Sequence, residues 1–123
     1  MKVLLSIKPE FADKIFAGIK KYEFRRALFK NPNIKTIVVY SSSPVQKVIG
    51  EFDIESILSA EPTVLWNATK EFAGINKKYF FDYFKSKDMG YAIKIKATRI
   101  YHESLCIKEH FNATPPQSFM YIN

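Results

Sequence analysis

The densest group of side chains capable of chemistry lies between Gly18 and Arg26. This segment reads Gly-Ile-Lys-Lys-Tyr-Glu-Phe-Arg-Arg, so five charged side chains fall within seven positions. Alternation along a strand places Lys21, Glu23 and Arg25 on one face, whereas the lysine before them follows the turn and can point independently. A carboxylate flanked by cations is a candidate polar pocket. The alternative is an exposed strand face whose ion pairs contribute little.

Basic charge is concentrated in the same part of the sequence. The 123 residues contain 19 Lys and Arg against 12 Asp and Glu, which gives a net charge of +7. Residues 1–35 hold nine of these cations and three of the anions, so this region alone carries +6. Such a concentration attracts anionic partners, nucleic acid first among them, although a basic surface can also serve solubility alone.

Other reactive groups are sparse. Cys106 is the only cysteine, and His102 and His110 lack metal-ligand spacing, so we expect no disulfide, metal site or cofactor. Phosphate-binding glycine loops, nucleophile elbows and zinc-deaminase signatures are absent. No apolar run approaches the ~20 residues of a membrane span, and no signal-peptide core is present. We therefore expect a cytoplasmic protein with no membrane partner.

Hydropathy patterns predict the elements that position the charged segment. Period-two alternation predicts strands at residues 3–8, 20–26, 48–55 and 91–101. β-Branched residues predict another strand at 36–40, and Pro115 and Pro116 predict an extended segment that ends at residues 119–122 and closes the sheet. Helical spacing predicts helices at residues 9–17, 62–73, 77–87 and 105–111, the last with Ser104 as its N-cap. We find no βαβ alternation and no internal repeat. The prediction is one domain, residues 1–123, of class α+β and mainly β: a small, partly closed barrel of five to six strands with helices packed outside.

Residues 18–25 fit the pattern Gly-x-Lys-x-x-Glu-x-Arg, and the run 6–26 around them resembles the opening of ASCH domains, members of the PUA-like superfamily. Segments 40–44, 49–52 and 115–121 also resemble the family, in the family's order. The resemblance implies a PUA-like β-barrel with a cleft beside the first helix. It implies further that this cleft binds RNA or a nucleotide.

The same resemblance implies roles for individual side chains. Lys20 and Arg25 would contact a phosphate or a base edge, and Glu23 would accept a hydrogen bond from a base amino group. Ser118 would approach from the last strand. A role in RNA metabolism, or in the regulation of transcription or translation, would follow.

Tyrosines near these segments have two interpretations. Tyr22, Tyr40 and Tyr121 either stack on an unpaired base or belong to the core with their hydroxyls at the rim. The full set of candidate ligand-binding residues is Lys8, Lys20, Lys21, Glu23, Arg25, Arg26, Tyr40, Ser41, Ser118 and Tyr121.

Two further functions stay open. Some small ASCH proteins are hydrolases, either amidohydrolases acting on acylated cytidine or ribonucleases; here Lys20 would be the base or nucleophile and Glu23 the second catalytic residue. Glu23 stands where the amidohydrolase-type members have threonine, so their catalytic set is incomplete. The third interpretation is a domain that docks a protein partner through the aromatic-rich helix at residues 79–84.

Overall fold

Six strands, four α-helices and one 3₁₀ helix form the fold, and the computed structural model describes residues 1–123. The strands are β1 (Lys2–Ile7), β2 (Tyr22–Arg25), β3 (Thr36–Ser41), β4 (Lys47–Ala60), β5 (Gly90–Leu105) and β6 (Phe119–Ile122). The α-helices are α1 (Pro9–Phe16), α2 (Pro62–Thr69), α3 (Lys77–Tyr83) and α4 (Ile107–Phe111), and the 3₁₀ helix is Lys70–Phe72. Strand covers about 41% of the chain and helix about 25%, so the α+β, mainly β prediction is confirmed.

All six strands belong to one sheet, in the order β2-β5-β4-β3-β1-β6. Strands β1 and β3 are parallel, whereas every other neighbouring pair is antiparallel. The connection between the parallel strands contains both α1 and β2, so this one parallel pair is not part of a repeating βαβ alternation. Unbroken apolar runs at residues 3–5 and 37–40 accompany this pairing, since parallel strands are covered on both faces.

The sheet curls, but no backbone ladder joins its two edge strands, β2 and β6. The side chain of Arg25 at the end of β2 bridges the gap instead, donating to the backbone oxygen of Ser6 on β1 and to Ser118 just before β6. Beyond this bridge, the rings of Phe29 and Phe119 pack across the gap with centroids 6.1 Å apart. The sheet is therefore barrel-like at most, and a closed barrel is not formed.

Three apolar clusters hold the helices against the sheet. The largest joins α1 to β1 and β3 through side chains such as Leu5 and Ile37. The second contains Tyr40 and lies against α4. The third packs α2 and α3 against β2 and β5, with Phe24 and Phe80 in contact at a centroid distance of 5.1 Å. Burial of such rings is worth about 2 kcal/mol each, so α3 is held firmly beside β2.

The strand β5 is longer than its alternation predicts. It continues to Leu105, which pairs with Val48 of β4, and α4 begins only at Ile107. Cys106 is the N-cap residue and makes no side-chain cap hydrogen bond. The predicted N-cap at Ser104 is therefore wrong, because tertiary pairing with β4 keeps this residue extended. None of the four helices is long and apolar enough to cross a bilayer.

The helix predicted over residues 62–73 ends early. The Thr69 hydroxyl donates to the backbone oxygen of Leu65 at 2.8 Å, a bond that competes with regular helical geometry. After the 3₁₀ helix the chain turns at Gly74, whose φ of +70° favours glycine. The backbone oxygen of Phe72 accepts from the backbone N–H of Lys21 at 2.9 Å. This bond places the turn directly over the start of β2.

Candidate functional site

A cavity of about 460 Å³ lies where β1, β2 and α3 meet the segment before β6. Its volume falls within the range of roughly 300–1,000 Å³ that is usual for small-ligand sites. Six of the predicted ligand-binding residues line it: Lys8, Lys20, Glu23, Arg25, Arg26 and Ser118. Five of them are cationic or neutral donors and one is a carboxylate, so the cavity favours an anionic ligand.

A buried ion pair forms the polar end of the cavity. Arg25 Nη1 donates to Glu23 Oε2 at 3.1 Å, and Arg25 Nη2 donates to Ser118 Oγ at 2.9 Å. The two residues of the ion pair face the same side of β2, as strand alternation predicts. Glu23 Oε1 accepts no hydrogen bond from the protein, yet it is not sealed from solvent. This oxygen is therefore free to accept a hydrogen bond from a ligand.

The motif lysine is buried rather than exposed. Lys20 is only 2% exposed, and its Nζ donates to the backbone oxygen of Ala73 at 2.8 Å. The same Nζ lies 4.6 Å from the ring centroid of Phe24. Burial lowers the pKa of Lys20 from 10.5 to about 8; the neighbouring Glu23 opposes this shift and the nearby Lys14 adds to it. A small rise above neutral pH therefore converts much of this ammonium group to the amine.

The turn after the 3₁₀ helix covers this lysine. A Cβ atom on Gly74 would lie 2.5 Å from both Cβ and Cγ of Lys20, so the turn packs closely against the lysine stem. The Nζ of Lys14 donates to the backbone oxygen of Gly74 at 3.1 Å. Lys14 and Lys20, both near the N-terminus, thus donate hydrogen bonds to the turn at residues 73–74.

Aromatic rings form another part of the cavity wall. The rings of Phe11 and Tyr79 meet edge to face at a centroid distance of 5.2 Å. Two cations at the rim lie over the tyrosines of this wall: Lys8 Nζ is 5.3 Å from the Tyr79 centroid, and the Arg26 guanidinium is 4.9 Å from that of Tyr83. The cavity therefore offers a ligand both positive charge and flat aromatic surface in the same region.

The residues of α3 that line the cavity were not predicted as site residues. Helical spacing places Tyr79 and Tyr83 four residues apart on one face, while Phe80 and Phe84 are buried in the third apolar cluster. The docking interpretation treated the whole stretch as one aromatic face. The i, i+4 spacing places the two tyrosines on a different part of the helix surface from the two phenylalanines. This spacing was the sequence signal that could have identified the tyrosines as cavity residues.

Four of the predicted ligand-binding residues do not line the cavity: Lys21, Tyr40, Ser41 and Tyr121. Lys21 lies over the ring of Phe72, with Nζ 4.4 Å from its centroid. Tyr40 and Ser41 are buried at the end of β3. The hydroxyl of Tyr121 accepts from two backbone N–H groups in the loop after β2. No cluster of three or more His, Cys, Asp or Glu side chains is close enough to hold a metal ion.

Comparison with known proteins defines the class. The sequence model of the ASCH domain matches residues 5–108, and the chain therefore belongs to the ASCH domain family, as the resemblance implied. The crystal structure of ASCH from Zymomonas mobilis superimposes with a TM-score of 0.90 at 28% identity, over 99% of this chain and 87% of that chain.

Two relatives by sequence have names that describe a function. A protein of Zymomonas mobilis subsp. mobilis named ASCH domain-containing ribonuclease is 30% identical over 95 residues, which are 77% of this chain and 64% of that protein. The large ribosomal subunit protein uL22 of Ureaplasma parvum serovar 3 is 26% identical over 120 residues. That match includes 98% of this chain but spans only 39% of the ribosomal protein.

Proposed function

We propose that the cavity binds one nucleotide unit of single-stranded RNA. The observation that carries this proposal is a cavity of about 460 Å³ that is lined both by the largely buried Glu23–Arg25 ion pair and by aromatic side chains. Glu23 Oε1 is an acceptor for an exocyclic amino group of a base. The rim cations Lys8 and Arg26 are donors for phosphate oxygens.

The aromatic wall favours an unpaired base over a duplex. A ring inside a cavity can stack only on a base that has left its helix, and Tyr79 offers such a surface. The relative named as a ribonuclease supports RNA as the polymer. The ASCH family membership of the whole motif region supports the same class of ligand.

An NMR titration tests the proposal. Labelled protein is titrated with cytidine 5′-monophosphate and with a short single-stranded RNA, and we expect amide shifts to cluster at residues 18–26 and 75–83. Lys8→Ala and Arg26→Ala remove exposed rim cations without disturbing the core, and each should weaken RNA affinity and reduce the salt dependence by about 0.7 in log–log slope.

The matched control is Lys21→Ala, which removes the same charge from an exposed residue outside the cavity. We expect this variant to keep RNA affinity within about twofold of the unmodified chain, since the Lys21 ammonium lies over Phe72 in contact with solvent and its charge is screened by salt. Equal affinities for the unmodified chain and both rim variants would contradict the proposal.

RNA cleavage at the same site is the second candidate, and the depressed pKa of Lys20 favours it. The neutral amine would take the proton of a ribose 2′-hydroxyl, and the 2′-oxygen would attack the adjacent phosphorus. The bond from phosphorus to the 5′-oxygen then breaks, and this oxygen takes a proton from water, which leaves a 2′,3′-cyclic phosphate and a 5′-hydroxyl. The Lys20 ammonium returns its proton to solvent and becomes the amine again. The relative named as a ribonuclease supports this chemistry.

End-labelled RNA distinguishes cleavage from binding alone. If the chain is a nuclease, cleavage disappears in Lys20→Met, persists in Lys21→Met at an exposed residue outside the cavity, and fails on a DNA strand of the same sequence that lacks the 2′-hydroxyl. Including N4-acetylcytidine in the titration tests the amidohydrolase alternative, because released acetate gives a separate signal. RNA that stays intact after prolonged incubation would rule out the nuclease function and would be consistent with binding alone.

A further inference from the structure

A second, larger cavity of about 810 Å³ lies beside the loop that follows β2. Three lysines line it, and each comes from a different part of the fold: Lys30 from the loop, Lys35 from the residue before β3, and Lys96 from β5. All three are exposed. The cavity is therefore basic in its composition and open to solvent.

The carboxylates that line this cavity form their ion pairs with residues outside it. Asp53 lines the cavity, but Arg99 donates to both of its oxygens, at 2.7 and 2.9 Å. Glu55 also lines it, but its Oε2 lies 2.9 Å from Nζ of Lys94. None of the three cavity lysines forms an ion pair with any carboxylate of the chain. Lys96 acts on Asp53 only through a longer-range charge interaction, which helps to lower the pKa of that carboxyl. Three cations that form no ion pair thus line one concave surface.

The two cavities are adjacent along the chain. Ala27 lines the first and the next residue, Leu28, lines the second, so the two cavities meet along one short stretch of backbone. At the start of this stretch, Arg25 donates a hydrogen bond to Ser118. At its end, the backbone N–H of Lys30 donates a hydrogen bond to the Tyr121 hydroxyl. Consecutive Cα atoms are about 3.8 Å apart, so the linings of the two cavities come within one residue of each other. A polymer longer than one nucleotide can therefore reach both cavities.

We propose that an RNA strand held in the first cavity continues over residues 26–30 and places a neighbouring phosphate in the second cavity, on Lys30, Lys35 and Lys96. This inference rests on the proposed function of the first cavity. Lysines with no aromatic partner bind phosphate as point charges, so the second contact is independent of sequence. The first cavity then selects the nucleotide, and the second adds affinity for a strand over a mononucleotide.

A charge-matched pair of triple variants tests this inference. The test variant carries Lys30→Ala, Lys35→Ala and Lys96→Ala, and the control carries Lys70→Ala, Lys87→Ala and Lys108→Ala, which are exposed residues that line neither cavity. Affinity is measured for cytidine 5′-monophosphate and for a single-stranded RNA of about ten nucleotides, at several salt concentrations.

For the test variant we expect RNA affinity about tenfold weaker at moderate salt and a log–log salt slope smaller by about 2, since three contacts contribute about 0.7 each. Its affinity for the mononucleotide should not change, and the control variant should keep the RNA affinity of the unmodified chain. Unchanged RNA affinity and slope in the test variant would overturn the inference, as would an equal loss in the control.

The proposed function and this inference fail in different ways. If the mononucleotide does not bind but RNA affinity still depends on the three lysines, the first cavity loses its assigned role and the second keeps its phosphate contact. If the mononucleotide binds and the test variant behaves as the unmodified chain does, only the inference is wrong. If neither ligand binds, both are wrong.

Discussion

Arg25 Nη2 donates two hydrogen bonds to Ser118, at 2.9 Å to Oγ and at 3.2 Å to the backbone oxygen, and these bonds tie one edge of the sheet to the other. The same guanidinium holds the buried carboxylate of Glu23 through Nη1. Because one side chain both bridges the sheet edges and orders the candidate site, stability and ligand binding are coupled at this position.

Arg25→Met is expected to lower the free energy of unfolding by about 3 kcal/mol. The methionine keeps the apolar stem but leaves the Glu23 carboxylate buried without its partner, and removing one member of a buried pair is costly. Adding Glu23→Gln should recover part of the loss, because the neutral amide needs no counter-charge. Ser118→Ala, at an exposed residue, should cost about 1 kcal/mol or less. Urea denaturation of the four chains measures these values, and a loss for Arg25→Met no larger than that for Ser118→Ala would contradict the coupling.

Lys20→Met is expected to change the pH dependence of stability. The pKa of Lys20 is lowered in the folded state from 10.5 to about 8, so the unfolded chain binds more protons between these values and stability rises with pH there. The buried ammonium therefore costs stability at and below neutral pH, by about 3 kcal/mol, and the cost disappears as pH rises towards 10.5.

Comparison of the two chains isolates this contribution, because other titrating groups are common to both. In urea denaturation the stability advantage of Lys20→Met over the unmodified chain should shrink by about 2 kcal/mol between about pH 7 and about pH 10. A difference that stays constant over this range would show that the amine of Lys20 titrates as it does in water.

Gly74→Ala and Gly18→Ala form a matched pair. Both glycines have positive φ, +70° and +79°, so each alanine carries a backbone cost of roughly 1–2 kcal/mol. Only Gly74 has close neighbours, the stem atoms of Lys20, whereas nothing lies within 4 Å of a Cβ at Gly18. We expect Gly74→Ala to lose about 1–3 kcal/mol more than Gly18→Ala in thermal or urea denaturation. Equal losses would show that the turn over Lys20 is loose.

Cytidine 5′-monophosphate is expected to bind more tightly than uridine 5′-monophosphate, by about tenfold. The cytosine amino group can donate to Glu23 Oε1, whereas the uracil oxygen at the same position would face a carboxylate that can only accept. Glu23→Gln supplies both a donor and an acceptor and should remove most of the preference. Calorimetric titration gives the four affinities, and a preference that is unchanged in Glu23→Gln would place the base elsewhere in the cavity.

Local pattern explains why much of the fold was predictable. Alternation, β-branched residues and two prolines together identified all six strands. Strand alternation placed Glu23 and Arg25 on one face of β2, and the two do form an ion pair there. The predicted ends of strands were wrong where pairing with a neighbouring strand set the boundary. One example is Leu105, which still belongs to β5 because it pairs with Val48 of β4.

The missed parts of the site depend on contacts between residues far apart in the chain. Tyr79 and Tyr83 reach the cavity only because α3 packs against β2 through the third apolar cluster. The bridge from Arg25 to Ser118 joins residues 93 positions apart, and no local signal predicts it. The second cavity likewise depends on the loop after β2 meeting β4 and β5.

Two neighbouring lysines show where prediction from sequence ends. The sequence by itself determined that Lys20 and Lys21 follow a glycine, precede a strand and belong to a basic motif. Only the tertiary structure decided that Lys20 is buried beneath a turn from residues 73–74 while Lys21 stays exposed over Phe72. The physical reason is that the proton affinity of an amine depends on the water it loses and the charges it meets, and the fold supplies both. Composition and periodicity specify the elements, but the environment of each charge follows from how distant elements pack.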